Sequence, residues 1–411
     1  MRTELPASLL QSERGQRADA ILRSCVHCGF CNATCPTYLV EGDELDGPRG
    51  RIYLIKDMLE TGVADTVTRT HLDRCLTCRS CETTCPSGVQ YGELLEIGRS
   101  TLEQAPVRGL RDRLLRWGLR RVVPYPRRFG PLVVLGRAFR AVLPGRLRES
   151  IPPKRASSHE VIPSAVTKPM PVGRVVLLEG CVQRVATPEV NARLRALLAA
   201  RGIEVITVRN ETCCGGLALH LGAEAEAESA MARFADALAP HLDGVDAIVS
   251  TASGCGVTIK DLGRLLARDP DRAALAQRVA ALTRDVAQYL AQLPGEWRRD
   301  AAVKRVAWHP PCTLQHGQRV TGVVEQLLRQ AGYELVPVAD AHLCCGSAGT
   351  YSLLEPERAR LLRSAKLRAL LEGEPEVIAT ANIGCQLHLA SAAPRRGEGA
   401  VPVRHWIELL R

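Results

Sequence analysis

The chain has 411 residues, 46% of them hydrophobic, with 54 basic and 44 acidic side chains, so it can form two or three domains with cores of their own. All 16 cysteines fall into repeated motifs, and the N-terminus has no apolar signal-peptide segment, which together predict a reducing, cytoplasmic setting. The sequence contains no G-x-G-x-x-G or Walker-type loop, which excludes a self-contained flavin or nicotinamide dehydrogenase.

Residues 1–105 begin with a predicted helix that reaches about residue 24, and two matching cysteine runs follow it. The runs CVHCGFCNATCP and CLTCRSCETTCP share the spacing C-x2-C-x2-C-x3-C-P, typical of ferredoxins in which the fourth cysteine of each run binds the other [4Fe-4S] cluster. We predict one cluster on Cys25, Cys28, Cys31 and Cys85, and a second on Cys75, Cys78, Cys81 and Cys35. Structural zinc is the alternative, but zinc needs only the C-x2-C pairs and leaves the third and fourth cysteines unexplained.

The stretch between the two runs is predicted to be a helix. In GPRGRIYLIKDMLETG the apolar residues Ile52, Ile55 and Leu59 share one helical face. This pattern favours a helix-rich ferredoxin-like domain over a small β-rich one.

An arginine-rich segment follows, which we assign to residues 106–170. Between Pro106 and Arg155 it has 14 Lys or Arg and two acidic residues, a net charge of +12. Leucines, valines and aromatic residues alternate with the arginines, which suits the inner surface of a cell membrane better than nucleic acid. A solvated linker is the alternative, and no run nears the roughly 20 apolar residues of a transmembrane helix.

The other eight cysteines form a longer repeat, in which Cys181 and Cys312 are 131 residues apart. Each copy reads as β-α-β-CCG-α-β, with cysteines near strand ends, where open parallel sheets bind ligands. The first lobe, residues 171–300, has Cys181, Cys213, Cys214 and Cys255; the second, residues 301–411, has Cys312, Cys344, Cys345 and Cys385. The predicted fold class is therefore α+β and α/β: a helix-rich two-cluster ferredoxin domain followed by two homologous α/β lobes.

These motifs together resemble a known family. The tandem cysteine runs, the two CCG lobes and the stretches GDELDGPRGRIYLIK, HLCCGSAGTY and VRHWIE are similar to iron-sulfur subunits of glycolate oxidase and anaerobic glycerol-3-phosphate dehydrogenase. The CCG part also resembles the CCG-containing chain of heterodisulfide reductase. In heterodisulfide reductase, the last cysteine motif of each CCG domain is C-x2-C. This chain has Thr258 and His388 where the second cysteine of that motif would stand, so each lobe keeps four thiols. Four thiols suit one [4Fe-4S] cluster, one zinc ion or no metal.

The resemblance implies a role in a complex. FAD-binding subunits would oxidise glycolate to glyoxylate, and this chain would pass the electrons through its clusters toward a quinone, with no catalysis by the chain alone. Lactate or glycerol-3-phosphate is the alternative substrate of such a complex. A thiol-disulfide enzyme that uses the CCG lobes is a further alternative, and nucleic acid is not an expected partner.

Overall fold

The structure is a computed structural model that describes residues 1–140, 142, 151, 172–393 and 401–411. It divides into two compact units that each use separate stretches of chain. Unit 1 comprises residues 1–120, 217–227 and 342–363, and unit 2 comprises residues 121–216, 228–341 and 364–411. The four domain segments expected from the sequence stay a prediction.

The ferredoxin-like part of unit 1 is helical, and no strand occurs among residues 1–140. Its helices are α1 (Ala7–Leu10), α2 (Glu13–Ser24), α3 (Pro36–Glu41), α4 (Pro48–Thr61), α5 (Thr66–Asp73), α6 (Ser80–Thr84) and α7 (Tyr91–Gln104), with 3-10 turns at Phe30–Thr34 and Glu44–Asp46. Helix α4 has proline in its first turn and ends at Gly62, whose φ of 72° suits glycine. Ile52, Ile55 and Leu59 are buried on one face of α4, as the sequence predicted.

Two helices lie within the arginine-rich segment, α8 (Leu110–Val122) and α9 (Pro126–Ala138). Each ends before the stretches at residues 143–150 and 152–171, which are outside the described residues. The predicted membrane-surface role of the arginine-rich segment can therefore be compared with the structure only at α8 and α9.

Unit 2 contains two parallel sheets of four strands each. The first has the order β2-β1-β3-β4 and the second the order β6-β5-β7-β8. The strands are β1 (Gly173–Leu177), β2 (Ile203–Thr207), β3 (Ala247–Ser250), β4 (Thr283–Asp285), β5 (Arg305–His309), β6 (Glu334–Leu335), β7 (Val377–Thr380) and β8 (Val403–His405). The shared strand order agrees with the internal repeat, while β4 and β8, three residues each, had no strand signal in the sequence because they are so short.

Helices join these strands as parallel crossovers require. They are Gln183–Ala186, Pro188–Ala199, Ser253–Lys260, Leu262–Leu265, Ala273–Leu282 and Val286–Leu290 in the first lobe, and Val323–Gln330 and Ile383–Ala390 in the second. The helices Gly216–His220, Glu224–Leu238 and Pro356–Leu371 each cross a unit boundary, and Tyr351–Leu354 lies in unit 1. The central strands are buried: β3 and β7 are inaccessible at all four positions. One apolar core lines both sheets, with Val175, Leu177, Val306 and Trp406 among its members.

Candidate metal centres

The first cysteine quartet surrounds a cavity in unit 1, lined by all four predicted ligands. The first run turns sharply here, since His27 and Gly29 have φ of 58° and 84°. These left-handed residues wrap the loop around the cavity, and a Cβ at Gly29 would lie 2.7 Å from the Arg49 guanidinium. Burial, with the neighbouring thiols, raises the pKa of Cys31 to about 11.

The second quartet surrounds a cavity lined by Cys35, Cys75, Cys78 and Cys81. Thr77 and Arg79 stand at the positions of His27 and Gly29 and have the same left-handed backbone, with φ of 51° and 58°. The two loops therefore repeat in conformation as well as in sequence. Burial and the neighbouring thiols of this quartet raise the pKa of Cys81.

The fourth cysteine of each run lies at the other run's cavity. Cys85 lines the first cavity and Cys35 the second. The hydroxyls of Thr34 and Thr84, each just before a fourth cysteine, lie 3.1 Å apart where the runs meet. Cys81 lines both cavities. The crossed ligand assignment stays a prediction, and a set of four thiols suits an iron-sulfur cluster.

In the first CCG lobe, the four cysteines come together within unit 2. The Sγ atoms of Cys181 and Cys213 lie 3.7 Å apart, and further hydrogen bonds join Cys213 to Cys214 and Cys214 to Cys255. Those bonds lower the pKa of the Cys213 thiol and raise that of Cys214. The adjacent cavity lies past the ends of β1 and β3. Cys255 lies in the first turn of the helix Ser253–Lys260 rather than in a loop.

Glu211 supports this site and carried no recognisable signal in the sequence. Its carboxylate accepts the backbone N–H groups of Glu179 at 2.7 Å and Gly180 at 2.8 Å, and its side chain is 2% exposed. Burial raises the pKa of Glu211, although those hydrogen bonds oppose the shift. Because Gly180 precedes Cys181, Glu211 fixes the loop that presents this thiol.

The cysteines of the second lobe are all buried. In unit 2, Cys312 follows β5 and Cys385 lies in the first turn of the helix Ile383–Ala390. In unit 1, Gly346 donates its N–H to Cys344 Sγ at 3.4 Å and has φ of 87°, where a Cβ would lie 2.8 Å from a carbonyl oxygen. The glycine of the Cys-Cys-Gly sequence is therefore required by the backbone at this position.

His309 ends β5 in the same lobe and is 1% exposed. Neither of its ring nitrogens has a hydrogen-bond partner among the described residues. Burial, with the charges of Lys366 and His388, lowers its pKa, so the ring is neutral and offers a lone pair.

The arginine-rich helix α8 is amphipathic, but it buries arginines and exposes apolar side chains. Arg108, just before it, binds Asp73 at 2.6 Å, and Arg116 binds the same carboxylate at 3.0 Å. These arginines are buried, whereas Leu114 and Trp117 on the opposite face are 58% and 53% exposed. Among the described residues, no helix combines the length and the apolar character needed to cross a bilayer.

Comparison with known proteins defines the class first. A 4Fe-4S dicluster domain matches residues 21–89, and a cysteine-rich CCG domain matches residues 175–260 and again residues 306–390. The chain is therefore an iron-sulfur protein of the ferredoxin-plus-CCG class. Its dicluster domain and the clustered cysteines of its CCG domains are evidence for bound iron-sulfur clusters.

Full-length relatives give the family. The chain is 47% identical to the glycolate oxidase iron-sulfur subunit of Escherichia coli (strain K12), covering 100% of this chain and 98% of that protein. It is 31% identical to the probable glycolate oxidase iron-sulfur subunit of Bacillus subtilis (strain 168), with the same coverage of each. Lactate utilization protein A of Geobacillus kaustophilus (strain HTA426) is 29% identical and matches 58% of this chain and 98% of itself. The chain belongs to the family of glycolate oxidase iron-sulfur subunits.

Proposed function

We propose that this chain is the electron-transfer subunit of a glycolate-oxidising complex whose partner subunits bind FAD. The observation that carries the proposal is the pair of crossed thiol quartets, each around its own cavity in unit 1. Bound [4Fe-4S] clusters supply one-electron transfer, and the flavin supplies the two-electron oxidation of the alcohol. The residues of this chain hold the clusters, bury them and set their electrostatic surroundings.

The ligand assignment is part of this proposal. Cys25, Cys28, Cys31 and Cys85 hold one cluster, and Cys75, Cys78, Cys81 and Cys35 hold the other. The crossed placement of Cys85 and Cys35 supports it, since a zinc pair would need no exchange of ligands between the runs.

The CCG lobes hold at least one further metal or cluster. The joined thiols at Cys181, Cys213, Cys214 and Cys255 support this for the first lobe. In the second lobe, the neutral imidazole of His309 is a further nitrogen donor within unit 2. Iron and zinc analysis that finds only about eight iron atoms, the content of two cubanes, and no zinc would contradict it.

The substrate and the partners follow from the family and need a direct test. Co-purification of the tagged chain from its natural host is expected to recover FAD-binding subunits. The recovered complex is expected to reduce a quinone analogue with glycolate faster than with lactate or glycerol-3-phosphate. A preference for lactate would favour the second candidate, which rests on the match to lactate utilization protein A.

Contact with an anionic membrane surface completes the proposal, because a quinone is dissolved in the lipid. The exposed apolar face of α8, with exposed arginines beside it, supports this contact. The arginines at positions 108, 116 and 120 do not contribute, because they form ion pairs within unit 1.

A further inference from the structure

A buried guanidinium lies beside the second cysteine quartet. Arg51, in α4, is 1% exposed and lines the cavity of this quartet. Its Nε donates to the carbonyl of His71 at 2.7 Å, and its Nη2 donates to Thr37 Oγ1 at 3.1 Å. Its Nη1 lies 3.9 Å from Cys35 Sγ. These contacts on three sides fix the guanidinium against a ligand sulfur.

The charges around this guanidinium do not cancel. Asp46 is fully buried and binds Arg51 at 3.3 Å, but it also binds Arg74 at 2.8 Å. Two guanidinium groups therefore share one carboxylate. A third buried guanidinium, that of Arg99, donates to the carbonyl oxygen of Cys75 at 2.7 Å. Three guanidinium groups and one buried carboxylate therefore make these contacts beside the second quartet.

Arg51 stays charged in this environment. A guanidinium keeps its proton in proteins even where it is buried, and here each of its three nitrogens has a polar partner. The interaction between guanidinium and thiolate is strong because buried charges are screened far less than those in water.

The first quartet has an arginine of a different kind. Arg49 lines its cavity, but the Arg49 side chain is 35% exposed and its Nε binds Glu44 at 2.6 Å. Cys28 of this quartet is exposed as well. Water and Glu44 therefore screen the charge of Arg49, which makes this residue a matched control for Arg51.

We propose that Arg51 raises the reduction potential of the cluster held by Cys75, Cys78, Cys81 and Cys35. Reduction adds one electron and no proton, so the cluster with its four thiolates gains one negative charge. A fixed positive charge and a hydrogen bond to a ligand sulfur stabilise the more negative state. The inference rests on the proposed function, because it requires the cluster to be present, and it assigns Arg51 as a tuning residue rather than a ligand.

The test is an EPR-monitored redox titration of the purified chain with its clusters loaded. The variants are Arg51→Gln, Arg51→Lys and Arg49→Gln, each also made with Cys85→Ser to identify the signal of the second quartet. The midpoint potential of that signal is expected to fall in Arg51→Gln. It is expected to fall less in Arg51→Lys, which keeps the charge but not the fork-shaped donor set. Arg49→Gln is expected to leave it unchanged.

Other results of this titration would contradict either the tuning role of Arg51 or the proposed function. An unchanged potential in Arg51→Gln with intact clusters overturns the tuning role, as does an equal fall in Arg49→Gln. Loss of the second cluster in both Arg51 variants also overturns it, because Arg51 would then serve only to hold the fold. A parent protein that binds no iron would contradict the proposed function itself, which is a separate failure.

Discussion

Single residues direct the fourth cysteine of each run toward the cavity of the other run. Cys85 and Cys35 each follow a short helical turn, Ser80–Thr84 or Phe30–Thr34, and extended backbone at the cysteine directs the chain onward. The proline that follows each of them favours this extended conformation. A fixed run of twelve residues thus places three thiols at one cavity and the fourth at the next.

The crossing makes a prediction for Cys85→Ser. The cluster of Cys25, Cys28 and Cys31 is expected to be lost or converted, while that of Cys75, Cys78 and Cys81 survives, because only the first loses a thiolate. EPR spectra with iron analysis measure this, and Cys35→Ser is the reciprocal control. Loss of the second cluster alone in the Cys85 variant would overturn the crossed assignment.

A second prediction at this scale concerns Glu211. Its replacement by alanine leaves two buried N–H groups without an acceptor, at a cost of about 1–3 kcal/mol each. We expect a lower midpoint in chemical denaturation and a weaker hold on metal in the first lobe. Glu204→Ala is the control, because Glu204 is about half exposed and forms a surface ion pair with Arg174. Equal loss of stability in the two variants would contradict the role of Glu211.

The sequence predicted the cysteines but not the residues that support them. Cysteine spacing is a local signal, so both runs and both lobes could be recognised without a structure. Arg51 and Glu211 act through Cys35, His71 and Gly180, which lie 16, 20 and 31 residues away in the chain. No single-sequence pattern records such contacts, and an arginine in a helix is most often solvated.

At the scale of helices and strands, two aspartates that cap helix N-termini have pKa shifts in opposite directions. Asp285 is the N-cap of the helix Val286–Leu290 and is fully buried, and burial raises its pKa to about 6. Asp65 caps α5 from an exposed position, and the N–H of Thr68 lowers its pKa. Burial thus makes one charged cap costly, while the other remains favourable.

Asp285→Asn is therefore expected to stabilise the protein at neutral pH. The raised pKa means that the stability due to Asp285 is full below pH 4 and is lost as the pH rises through about 6. Asparagine keeps the cap without the charge, so we expect a gain of about 2–3 kcal/mol at pH 8 that shrinks toward pH 5. Thermal denaturation across this range measures it. Asp65→Asn should show the opposite sign, and a gain independent of pH would disprove the explanation.

Helix α8 reverses the usual burial of an amphipathic helix. Arg116 and Arg120 face Asp73 and Glu103, whereas Leu114 and Trp117 face outward. The alternation of arginine and leucine was visible in the sequence, but its direction was not, because it depends on carboxylates from α5 and α7. Two arginines of this helix, Arg116 and Arg120, are therefore already paired and are not available to a membrane surface.

The revised membrane prediction uses exposed residues only. Changing Arg113, Arg121, Arg127 and Arg128 to Gln should remove about 4 kcal/mol of attraction to anionic lipid, on the order of a thousand-fold in affinity. Sedimentation of the assembled complex with anionic vesicles at low salt measures this, and added salt should weaken the parent's binding. Arg209→Gln with Arg319→Gln is the control at exposed positions elsewhere. If the fourfold variant sediments like the parent, the segment is a linker.

The whole molecule combines a ferredoxin-like part with two lobes of repeated α/β design. The repeat was recognisable because the second copy preserves the cysteine order and the strand-helix alternation. The division into two compact units could not be recognised from the sequence. Segments 217–227 and 342–363 belong to unit 1, although their neighbours in the chain belong to unit 2. Such exchanges depend on tertiary packing rather than on local pattern.

The central claim is that this chain carries electrons from a flavin subunit and does no substrate chemistry alone. The most direct measurement is visible absorbance of the loaded chain under anaerobic conditions, with glycolate, before and after its FAD-binding partners are added. We expect no bleaching of the iron-sulfur band without the partners and prompt bleaching with them, because the flavin performs the two-electron step. Bleaching of the isolated, flavin-free chain by glycolate, or none in the full complex, would contradict the account.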